Sequence, residues 1–265
     1  MTKLEKYYGK FKEDHRLTTR HGIVEFSVSM HFIKNALEEI ALKTNRKKSE
    51  LRILDVGAGT GRYSVALSKD GYDVTAVELV QHNLDILMSK HEKVKCWPGD
   101  ARNLSFLDDN SFDITILFGP MYHLHKKEDK LKALTEAKRV TKKEGLIFVG
   151  YVMNEYAILS YCFKEKKILD CITARTLTDD FHALTTDEND LYSYTRIEDM
   201  DALNDMAGLE RTKIFAPDGA ADYMRRELNA LSEEEFAKFI EYQLAVCERR
   251  ELLGASSHVV DILRV

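Results

Sequence analysis

Residues Leu51–Leu67 read LRILDVGAGTGRYSVAL, in which an apolar run meets a glycine-rich turn and then an amphipathic stretch. Glycines stand at positions 57, 59 and 61, directly after the predicted strand and at the start of the predicted helix. Glycine permits a tight turn and lets backbone N–H groups approach a ligand without a Cβ clash. The stretch therefore predicts a strand–turn–helix unit that binds a nucleotide-like ligand at its turn.

The residue at position 62 discriminates between the ligands that such a turn binds. A dinucleotide fingerprint, G-x-G-x-x-G, requires its third glycine or an alanine there, and this chain has Arg62. No G-K-[ST] follows the glycines, which excludes a triphosphate-binding P-loop. A nicotinamide oxidoreductase is therefore disfavoured. The turn alone is also compatible with a tight connection that binds no ligand.

The chain around this turn alternates strand and helix patterns. Helical patterns separate five apolar runs: LRILDV, DVTAVEL, KVKCW, DITILF and LIFVGYV. Continuous apolar strands between helices predict an α/β fold, with a parallel sheet covered by helices on both faces. We also expect a helix over Ser29–Thr44 with its N-cap at Ser29, and a helix capped at Ser232, where Glu235 completes a capping box.

Acidic residues close the next two strands at the same predicted edge of the sheet. Glu78 ends the second strand, where a carboxylate can accept hydrogen bonds from both ribose hydroxyls. Asp100 follows the third strand and can accept from an adenine amino group, while the backbone N–H of Ala101 donates to the ring. Open α/β sheets bind ligands at the carboxyl ends of their strands. Together with the glycine turn, these positions predict one adenosine-binding crevice.

These motifs resemble those of the class I S-adenosylmethionine-dependent methyltransferases, chiefly across residues 50–153. The matching segments are LDVGAGTGRY, Glu78, GDA at 99–101, and FDITILFGPMYHL at Phe112–Leu124. The resemblance implies a Rossmann-like, seven-stranded mixed sheet of strand order 3-2-1-4-5-7-6, with strand 7 antiparallel and with helical lid insertions. It also implies S-adenosylmethionine as the cofactor and S-adenosylhomocysteine as its product.

The same resemblance gives individual residues roles in cofactor binding. Gly57 and Gly59 are expected to contact the methionine moiety, Glu78 the ribose, and Asp100 with Ala101 the adenine. Asp55 is expected to anchor the loop or to reach the amino group through water. The other expected cofactor contacts are Ala58, Gly61, Arg62, Tyr63, Leu79, Phe118 and Gly119. Arg62 and Tyr63 are equally well explained as residues that begin the helix.

The acceptor side carries weaker signals, because methyl transfer mainly needs alignment, exclusion of water and, for some nucleophiles, removal of a proton. Family members that methylate bases or protein glutamine carry [DNS]-P-P-[YFW] after the fourth strand, and FGPMYHLH departs from that pattern. GPMYHL looks more like the small-molecule branch. Tyr122 is predicted to line the sulfonium or acceptor site, and His123, with His125 as an alternative, to act as general base.

The N-terminal stretch YYGKFKEDHRLTTRHGIVEF interleaves aromatic and basic residues. Such a composition suits a lid over an anionic or carboxylate-bearing acceptor. Tyr8, Arg16, Arg20 and His21 are therefore expected to bind the acceptor. A solvated arm that packs its tyrosines on the core explains the same residues.

The expected organisation is a single domain with insertions rather than two domains. Its parts are an N-terminal lid and helix at 1–48, a cofactor-binding core at 49–153, cap insertions at 154–192 and 218–254, and a final strand at 255–265.

A net charge of −5 and four widely spaced cysteines narrow the function classes further. The charge argues against a surface that coats nucleic acid, and the cysteine spacing against a disulfide framework or zinc knuckle. No apolar run resembles a signal peptide or a membrane span, so a cytoplasmic protein without a membrane partner is expected.

The leading hypothesis is a methyltransferase that uses S-adenosylmethionine and acts on a small molecule. Nothing in the sequence resembles a cluster of metal-binding carboxylates, so metal-independent transfer is expected. The alternatives are an RNA or protein methyltransferase, and a non-catalytic module that binds S-adenosylmethionine. The sequence leaves the oligomeric state open.

Overall fold

A computed structural model describes residues 3–8, 18–186 and 190–265 of the chain. Within these ranges seven strands form one mixed sheet. The strands are β1 (Arg52–Val56), β2 (Asp73–Glu78), β3 (Val94–Pro98), β4 (Phe112–Leu117), β5 (Thr141–Val152), β6 (Glu210–Phe215) and β7 (His258–Arg264). Their order across the sheet is β3-β2-β1-β4-β5-β7-β6, which confirms the predicted topology.

Helices cover the sheet and fill the connections between its strands. In chain order the α-helices are α1 (Lys3–Tyr8), α2 (Arg20–Thr44), α3 (Arg62–Lys69), α4 (Gln81–Ser89), α5 (Lys127–Val140), α6 (Asn154–Ala157), α7 (Ile168–Thr173), α8 (Ile197–Ala207), α9 (Arg225–Ala230), α10 (Glu233–Val246) and α11 (Arg250–Leu253). Short 3₁₀ turns at Lys48–Glu50 and Pro120–Tyr122 and a π-helix at Ile158–Lys164 complete the described elements. No helix among the described residues is both long and apolar enough to cross a membrane.

Strand direction decides which residues meet at the functional edge. β1 pairs in parallel with β2 and β4, so the ends of these strands lie side by side. β7 runs antiparallel to β5, with His258 opposite Val152. The start of β7 therefore lies at the edge where β1, β2 and β4 end.

The hydrophobic core lies in two layers, one on each face of the sheet. On one face, α2 packs its apolar side against the strands, and the ring of Phe32 stacks on that of Phe215 with centroids 4.0 Å apart. The other face is covered by α5 and α8, which contact each other and bury Leu134 and Met200 completely. β1 and β4 are buried between these layers.

The predicted N-cap of the second helix at Ser29 is wrong. The helix begins at Arg20, where the Thr19 hydroxyl accepts a hydrogen bond from the Gly22 N–H at 3.3 Å. Ser29 lies inside the helix, and only 1% of it is exposed. Ser29 looked like a start because a serine precedes an apolar repeat, yet buried Val24 and Val28 continue that repeat upstream.

The predicted cap at Ser232 is confirmed, with Glu235 closing the capping box of α10. Gly208 ends α8 in the left-handed conformation at φ 59°. The segment after β5 is a short α-helix that continues as the π-helix. The division into lid, core and cap segments stays a prediction.

Candidate active site

A cavity of about 320 Å³ opens at the carboxyl ends of β1, β2 and β4. The predicted site residues that line it are Tyr8, Asp55, Gly57, Ala58, Gly59, Arg62, Tyr63, Glu78, Leu79, Asp100, Ala101, Phe118, Gly119, Tyr122 and His123. These residues come from both the predicted cofactor set and the predicted acceptor set. The fold thus brings the two sets together in one space.

The glycine turn forms one wall of the cavity. Gly57, Gly59 and Gly61 all have positive φ, at 75°, 56° and 84°. A Cβ on Gly57 would lie 2.6 Å from Cδ of Pro120, so the turn and the loop after β4 approach each other too closely for any side chain. Gly61 does not line the cavity; a Cβ there would lie 2.1 Å from Cδ1 of Leu87 on α4, which makes this glycine a packing requirement.

Glu78 holds the glycine turn in place from the neighbouring strand. One carboxylate oxygen accepts a hydrogen bond from the Gly59 N–H at 2.7 Å, and the other accepts from the Val80 N–H at 2.8 Å. Only 6% of the residue is exposed. The side chain therefore joins the ends of β1 and β2 while it faces the cavity.

Asp55 is a second buried carboxyl beneath the turn. Its Oδ2 accepts a hydrogen bond from the Ser64 hydroxyl at 2.6 Å. Burial, with a smaller contribution from the charge of Glu78, raises the pKa of Asp55 to about 6 against the opposing hydrogen bond from Ser64. A cationic group bound at this wall would favour the ionised form of Asp55.

Asp100 lies at the end of the cavity beside β3, where its carboxylate forms an ion pair with Arg102. The Arg102 guanidinium donates to both oxygens, at 3.0 Å to Oδ1 and 2.6 Å to Oδ2, and also donates to Asp129 at 3.0 Å. Burial alone raises the pKa of Asp100, but the hydrogen bonds from Arg102 outweigh it and the pKa lies below its usual value. Asp100 therefore stays ionised as an acceptor. The adjoining Ala101 is buried.

Arg62 and Tyr63 sit where the turn meets α3. The Arg62 guanidinium lies over the Phe26 ring, 4.5 Å from its centroid. The Tyr63 ring packs between Phe26 and Phe118, with centroids 5.2 Å and 5.0 Å away. Both residues line the cavity and also connect α3 to α2, and their role as cofactor contacts stays a prediction.

The rings of Tyr8, Tyr122 and His123 line the opposite side of the cavity, and the ring of Tyr192 packs against two of them. Tyr122 packs against His123 and Tyr192, with centroids 4.8 Å and 5.7 Å away. The Tyr8 hydroxyl lies 2.9 Å from Nε2 of His123, and Nδ1 of His123 lies 3.0 Å from the Leu191 carbonyl oxygen. Because a carbonyl only accepts, Nδ1–H donates to Leu191 and Nε2 accepts from Tyr8. Both ring nitrogens of His123 are therefore engaged by protein atoms.

The environment of His123 also sets its protonation. Burial, with a smaller contribution from the nearby His125, lowers the pKa of His123 to about 4, although the hydrogen bond to the Leu191 carbonyl opposes the shift. The ring is therefore neutral at physiological pH. In this arrangement it connects α1 to the segment before α8, and its predicted role as general base stays a prediction.

Of the acceptor residues predicted for the N-terminal region, Tyr8 lines the cavity, whereas Arg20 and His21 lie elsewhere. Arg16 is outside the described residues. Arg20 donates to the carbonyl oxygens of Leu228 and Leu231, at 3.1 Å and 2.8 Å, and pairs with Glu233. It therefore fixes the start of α2 to the connection between α9 and α10 and does not line the cavity. His21 also lies outside the cavity lining, 3.8 Å from Asp222.

Some residues that line the cavity were missed by the sequence interpretation. They include Leu4, Thr60, Asn83, Arg102, Leu124 and Asp129. Asn83 is the most informative of them, since only 2% of it is exposed and its Oδ1 has no hydrogen-bond partner among the described residues. A polar residue on the buried side of the apolar α4 repeat was the available signal.

Comparison with known proteins agrees with this geometry. Residues 54–149 match the family model described as a methyltransferase domain. Glycine/sarcosine N-methyltransferase of Aphanothece halophytica is 28% identical over 144 residues, covering 52% of this chain and 54% of that protein. Demethylmenaquinone methyltransferase of Staphylococcus aureus is 34% identical over 134 residues, covering 48% and 52%. The chain thus spans about half the length of the curated relatives it matches.

One solved structure resembles the fold across nearly the whole chain. It is a Thermotoga maritima protein described as an S-adenosylmethionine-dependent methyltransferase and possible histamine N-methyltransferase. The alignment has a TM-score of 0.57 and 21% identity, and covers 98% of this chain and 97% of the other. The family match and the sheet order together identify residues 54–149 as the core of a class I S-adenosylmethionine-dependent methyltransferase domain. S-adenosylmethionine is accordingly the cofactor of the domain.

Proposed function

We propose that this protein transfers the methyl group of S-adenosylmethionine to a small-molecule acceptor, without a metal ion. The observation that carries the proposal is the shared cavity, in which the glycine turn and Glu78 face Tyr8 and Tyr122. The curated relatives named above are methyltransferases with small-molecule substrates in their names. Their matches cover only about half of each chain, so we infer the class of acceptor from the residues of this cavity.

The residues present fit S-adenosylmethionine on physical grounds. A positive-φ turn that excludes side chains offers backbone N–H groups, and Glu78 is already oriented beside it by two hydrogen bonds. The partnerless Oδ1 of Asn83 in the cavity lining is a buried acceptor that a bound donor would satisfy. We assign Gly57 and Gly59 to the methionine moiety, Glu78 to the ribose, and Asp100 with Ala101 to the adenine.

The charge pattern of this wall supports the same assignment. S-adenosylmethionine carries an ammonium and a sulfonium, and Asp55 and Glu78 are buried carboxyls on the side where those cations would lie. Binding a cation beside Asp55 lowers its pKa from about 6 and releases a proton at mildly acidic pH. Arg62, Tyr63, Leu79, Phe118 and Gly119 complete the proposed cofactor site.

The chain contributes to transfer mainly by alignment. When bound, S-adenosylmethionine supplies an electrophilic methyl group whose sulfur leaves as a neutral thioether, so no acid is needed for the leaving group. Tyr122 presents an aromatic face to the cavity and stabilises positive charge by a cation–π contact. Leu4 and Tyr8 of α1 lie across the cavity and exclude water. Placing acceptor and methyl group in contact accounts for most of the rate enhancement such an enzyme requires.

Titration calorimetry with S-adenosylmethionine and S-adenosylhomocysteine tests the cofactor site. Glu78→Gln keeps the size of the side chain but cannot accept from both N–H groups, so we expect affinity to fall by about 100-fold. Asp73→Asn, at the opposite end of β2, is the matched control and should bind like the parent.

Transfer itself is measured with tritiated methyl donor against small-molecule acceptors, total RNA and lysate protein. Label in small molecules alone is the expected result. Label in RNA or protein alone would replace the small-molecule assignment. Tight cofactor binding with no label in any pool would indicate a non-catalytic binding module.

A further inference from the structure

A buried lysine lies next to the chain segment that packs against Tyr122 and His123. Lys130 is on α5, one residue after the cavity-lining Asp129, and only 7% of it is exposed. Among the lysines and arginines that the structure describes, it is the only one that is buried. Removing an ammonium group from water is costly unless it finds hydrogen-bond partners. The partners of this group therefore indicate why a lysine stands here.

Two buried hydroxyls are the partners of Lys130. Its Nζ donates to Oγ of Ser193 at 2.8 Å and to Oγ1 of Thr195 at 3.5 Å. Both of these residues are buried. Burial lowers the pKa of Lys130 to about 8, while the charge of Asp199 opposes the shift. The ammonium form therefore prevails at pH 7, and it donates to two neutral hydroxyls at once.

The segment that Lys130 contacts has little regular structure of its own. Residues 190–196 contain one isolated bridge, between Thr195 and Met153, and otherwise neither helix nor strand. The conformational entropy that such a segment loses on folding has to be offset by contacts outside a helix or sheet ladder. The two hydrogen bonds from Lys130 are contacts of this kind, and they attach the segment to α5.

The same segment holds two rings that line the cavity. The Ser193 N–H donates to the Tyr122 carbonyl oxygen at 2.7 Å, and the Leu191 carbonyl oxygen accepts from Nδ1–H of His123 at 3.0 Å. The Tyr192 ring stacks on that of His123, with centroids 5.3 Å apart and an angle of 30° between the ring planes. Three consecutive residues therefore set the positions of both rings.

The amine of Lys130, and not only its volume, explains these contacts. Methionine would fill similar space, and an apolar residue would avoid the cost of burying a charge. A donor is needed, however, to hold both hydroxyl oxygens and so to fix the segment relative to α5. In a reaction that depends on alignment, an error of about 1 Å in placing the reactants costs about 100-fold in rate.

We propose that Lys130 is a positioning residue for methyl transfer, because its ammonium group holds residues 191–195 and thereby sets where the two rings meet the acceptor. This inference rests on the proposed methyl transfer. Lys130 does not line the cavity, so it acts through Tyr122 and His123. The glycine turn lies on the other side of the cavity, so the loss of the amine should leave cofactor binding unchanged.

The first test removes the amine and keeps the volume. Lys130→Met retains an unbranched side chain but cannot donate, so methyl transfer at saturating S-adenosylmethionine should fall by about 10-fold or more. Transfer is measured with the tritiated donor on the small-molecule acceptors that the parent labels. The affinity for S-adenosylmethionine, measured by calorimetry, should stay as in the parent. Lys127→Met, at an exposed position on the same helix, is the control and should leave both quantities unchanged.

The imidazole ¹⁵N resonances of His123 provide a readout that needs no acceptor. In the parent they should show one neutral tautomer with its proton on Nδ1, because the Leu191 carbonyl oxygen accepts from that nitrogen. Lys130→Met should populate both tautomers, and Lys127→Met should not. A lysine that only filled space would leave the tautomer unchanged when methionine replaces it.

Ser193→Ala is a second variant that keeps the test decisive if Lys130→Met does not fold. It removes the hydroxyl oxygen that accepts at 2.8 Å and keeps the backbone N–H that donates to Tyr122. We expect a similar fall in transfer. The double variant should be little slower than Lys130→Met alone, since both changes break the same contact.

The outcomes separate the positioning role from the proposed function. Parent-like transfer or parent-like His123 spectra in the folded variants would overturn the positioning role. A loss of S-adenosylmethionine affinity as large as the loss of transfer would also overturn it, because Lys130 would then act on the cofactor site. A changed His123 tautomer in a protein whose parent labels no acceptor pool would overturn the proposed methyl transfer, while the effect of Lys130 on the rings would stand.

Discussion

The two walls of the cavity are built in different ways. The wall to which we assign the cofactor, here called the cofactor wall, contains Asp55, the glycine turn, Glu78 and Asp100, all at the ends of three adjacent parallel strands. The opposite wall, here called the acceptor wall, takes Tyr8, Tyr122 and His123 from two distant segments, and Tyr192 and His258 from two others pack against Tyr122. The first wall is held by the sheet. The second depends on side-chain contacts between separate segments of the chain.

The difference in construction predicts a difference in stability. Backbone hydrogen bonds of the sheet and the buried Glu78 hold the cofactor wall. Helix α1 has six residues, far too few to be stable by itself, and the Tyr8–His123 hydrogen bond is one of the contacts that retain it. Local opening should therefore affect the acceptor wall first.

Gly57→Ala is expected to have the largest effect, and it acts on the cofactor wall. The new Cβ would lie 2.6 Å from Cδ of Pro120 at a φ of 75°, so the turn has to move. We expect affinity for S-adenosylmethionine to fall by about 100-fold, measured by calorimetry. Gly71→Ala is the control, because it has a φ of 95° but nothing within 4 Å of the new Cβ. If Gly57→Ala and Gly71→Ala bound the cofactor equally well, the close approach of Gly57 to Pro120 would not be a requirement for cofactor binding.

The pH dependence of unfolding should have opposite signs for the two walls. Burial lowers the pKa of His123 to about 4, below its unfolded value of 6.5, so its contribution to stability is lost as the pH falls from 6.5 to 4. That loss amounts to about 3 kcal/mol. Burial raises the pKa of Asp55 to about 6, so the folded state gains stability as the pH falls from 6 to 4.

Denaturant unfolding of the parent, His123→Phe and Asp55→Asn between pH 4 and 7 separates these contributions. Removing His123 should reduce the fall in the free energy of unfolding as the pH drops toward 4. Removing Asp55 should make that fall larger. Parallel curves for the parent and His123→Phe would mean that His123 titrates normally in the folded state.

Tyr8→Phe should have a smaller effect that is confined to the acceptor wall. It removes only the hydroxyl that donates to Nε2 of His123. The loss of one such hydrogen bond costs about 1 kcal/mol, so we expect the acceptor KM to rise by about 5-fold with cofactor affinity unchanged. Steady-state kinetics check this, with the exposed Tyr242→Phe as control. A matching loss of cofactor affinity would show that the two walls are coupled.

Arg20→Leu is expected to have the smallest effect and none on ligands. The Arg20 guanidinium donates hydrogen bonds to the carbonyl oxygens of Leu228 and Leu231. Its loss should lower the free energy of unfolding by about 1 kcal/mol. Denaturant unfolding measures this, and Arg226→Leu on the exposed face of α9 is the control. A change in acceptor KM without a change in the free energy of unfolding would indicate that Arg20 contacts the acceptor.

The same contrast explains what the sequence could predict. Strand order and the positions of Gly57, Glu78 and Asp100 follow from motifs that are local and from a sheet that places strand ends together. No sequence motif includes the three neighbouring residues Glu25, Asp218 and His258. They are far apart in the chain, and the antiparallel direction of β7 brings them together. Arg20 and His21 lie in a stretch whose basic and aromatic composition suits a lid. In the folded chain, however, Arg20 contacts α9 and His21 lies near Asp222. The start of α2 at Arg20 was missed because Ser29 precedes an apolar repeat, although buried Val24 and Val28 continue that repeat upstream.

The reversed direction of β7 has a consequence for which part of the chain can vary at this edge of the sheet. A parallel strand brings the segment that follows it to the edge, but β7 brings the segment that precedes it. Residues 216–257, which include α9, α10 and α11, therefore return to the sheet beside the end of β5 and not beside β1, β2 or the glycine turn. Exchanging this segment for that of a relative should leave the glycine turn and Glu78 in place, provided that the new sequence matches Leu228 and Phe236 in the core that they share with α2.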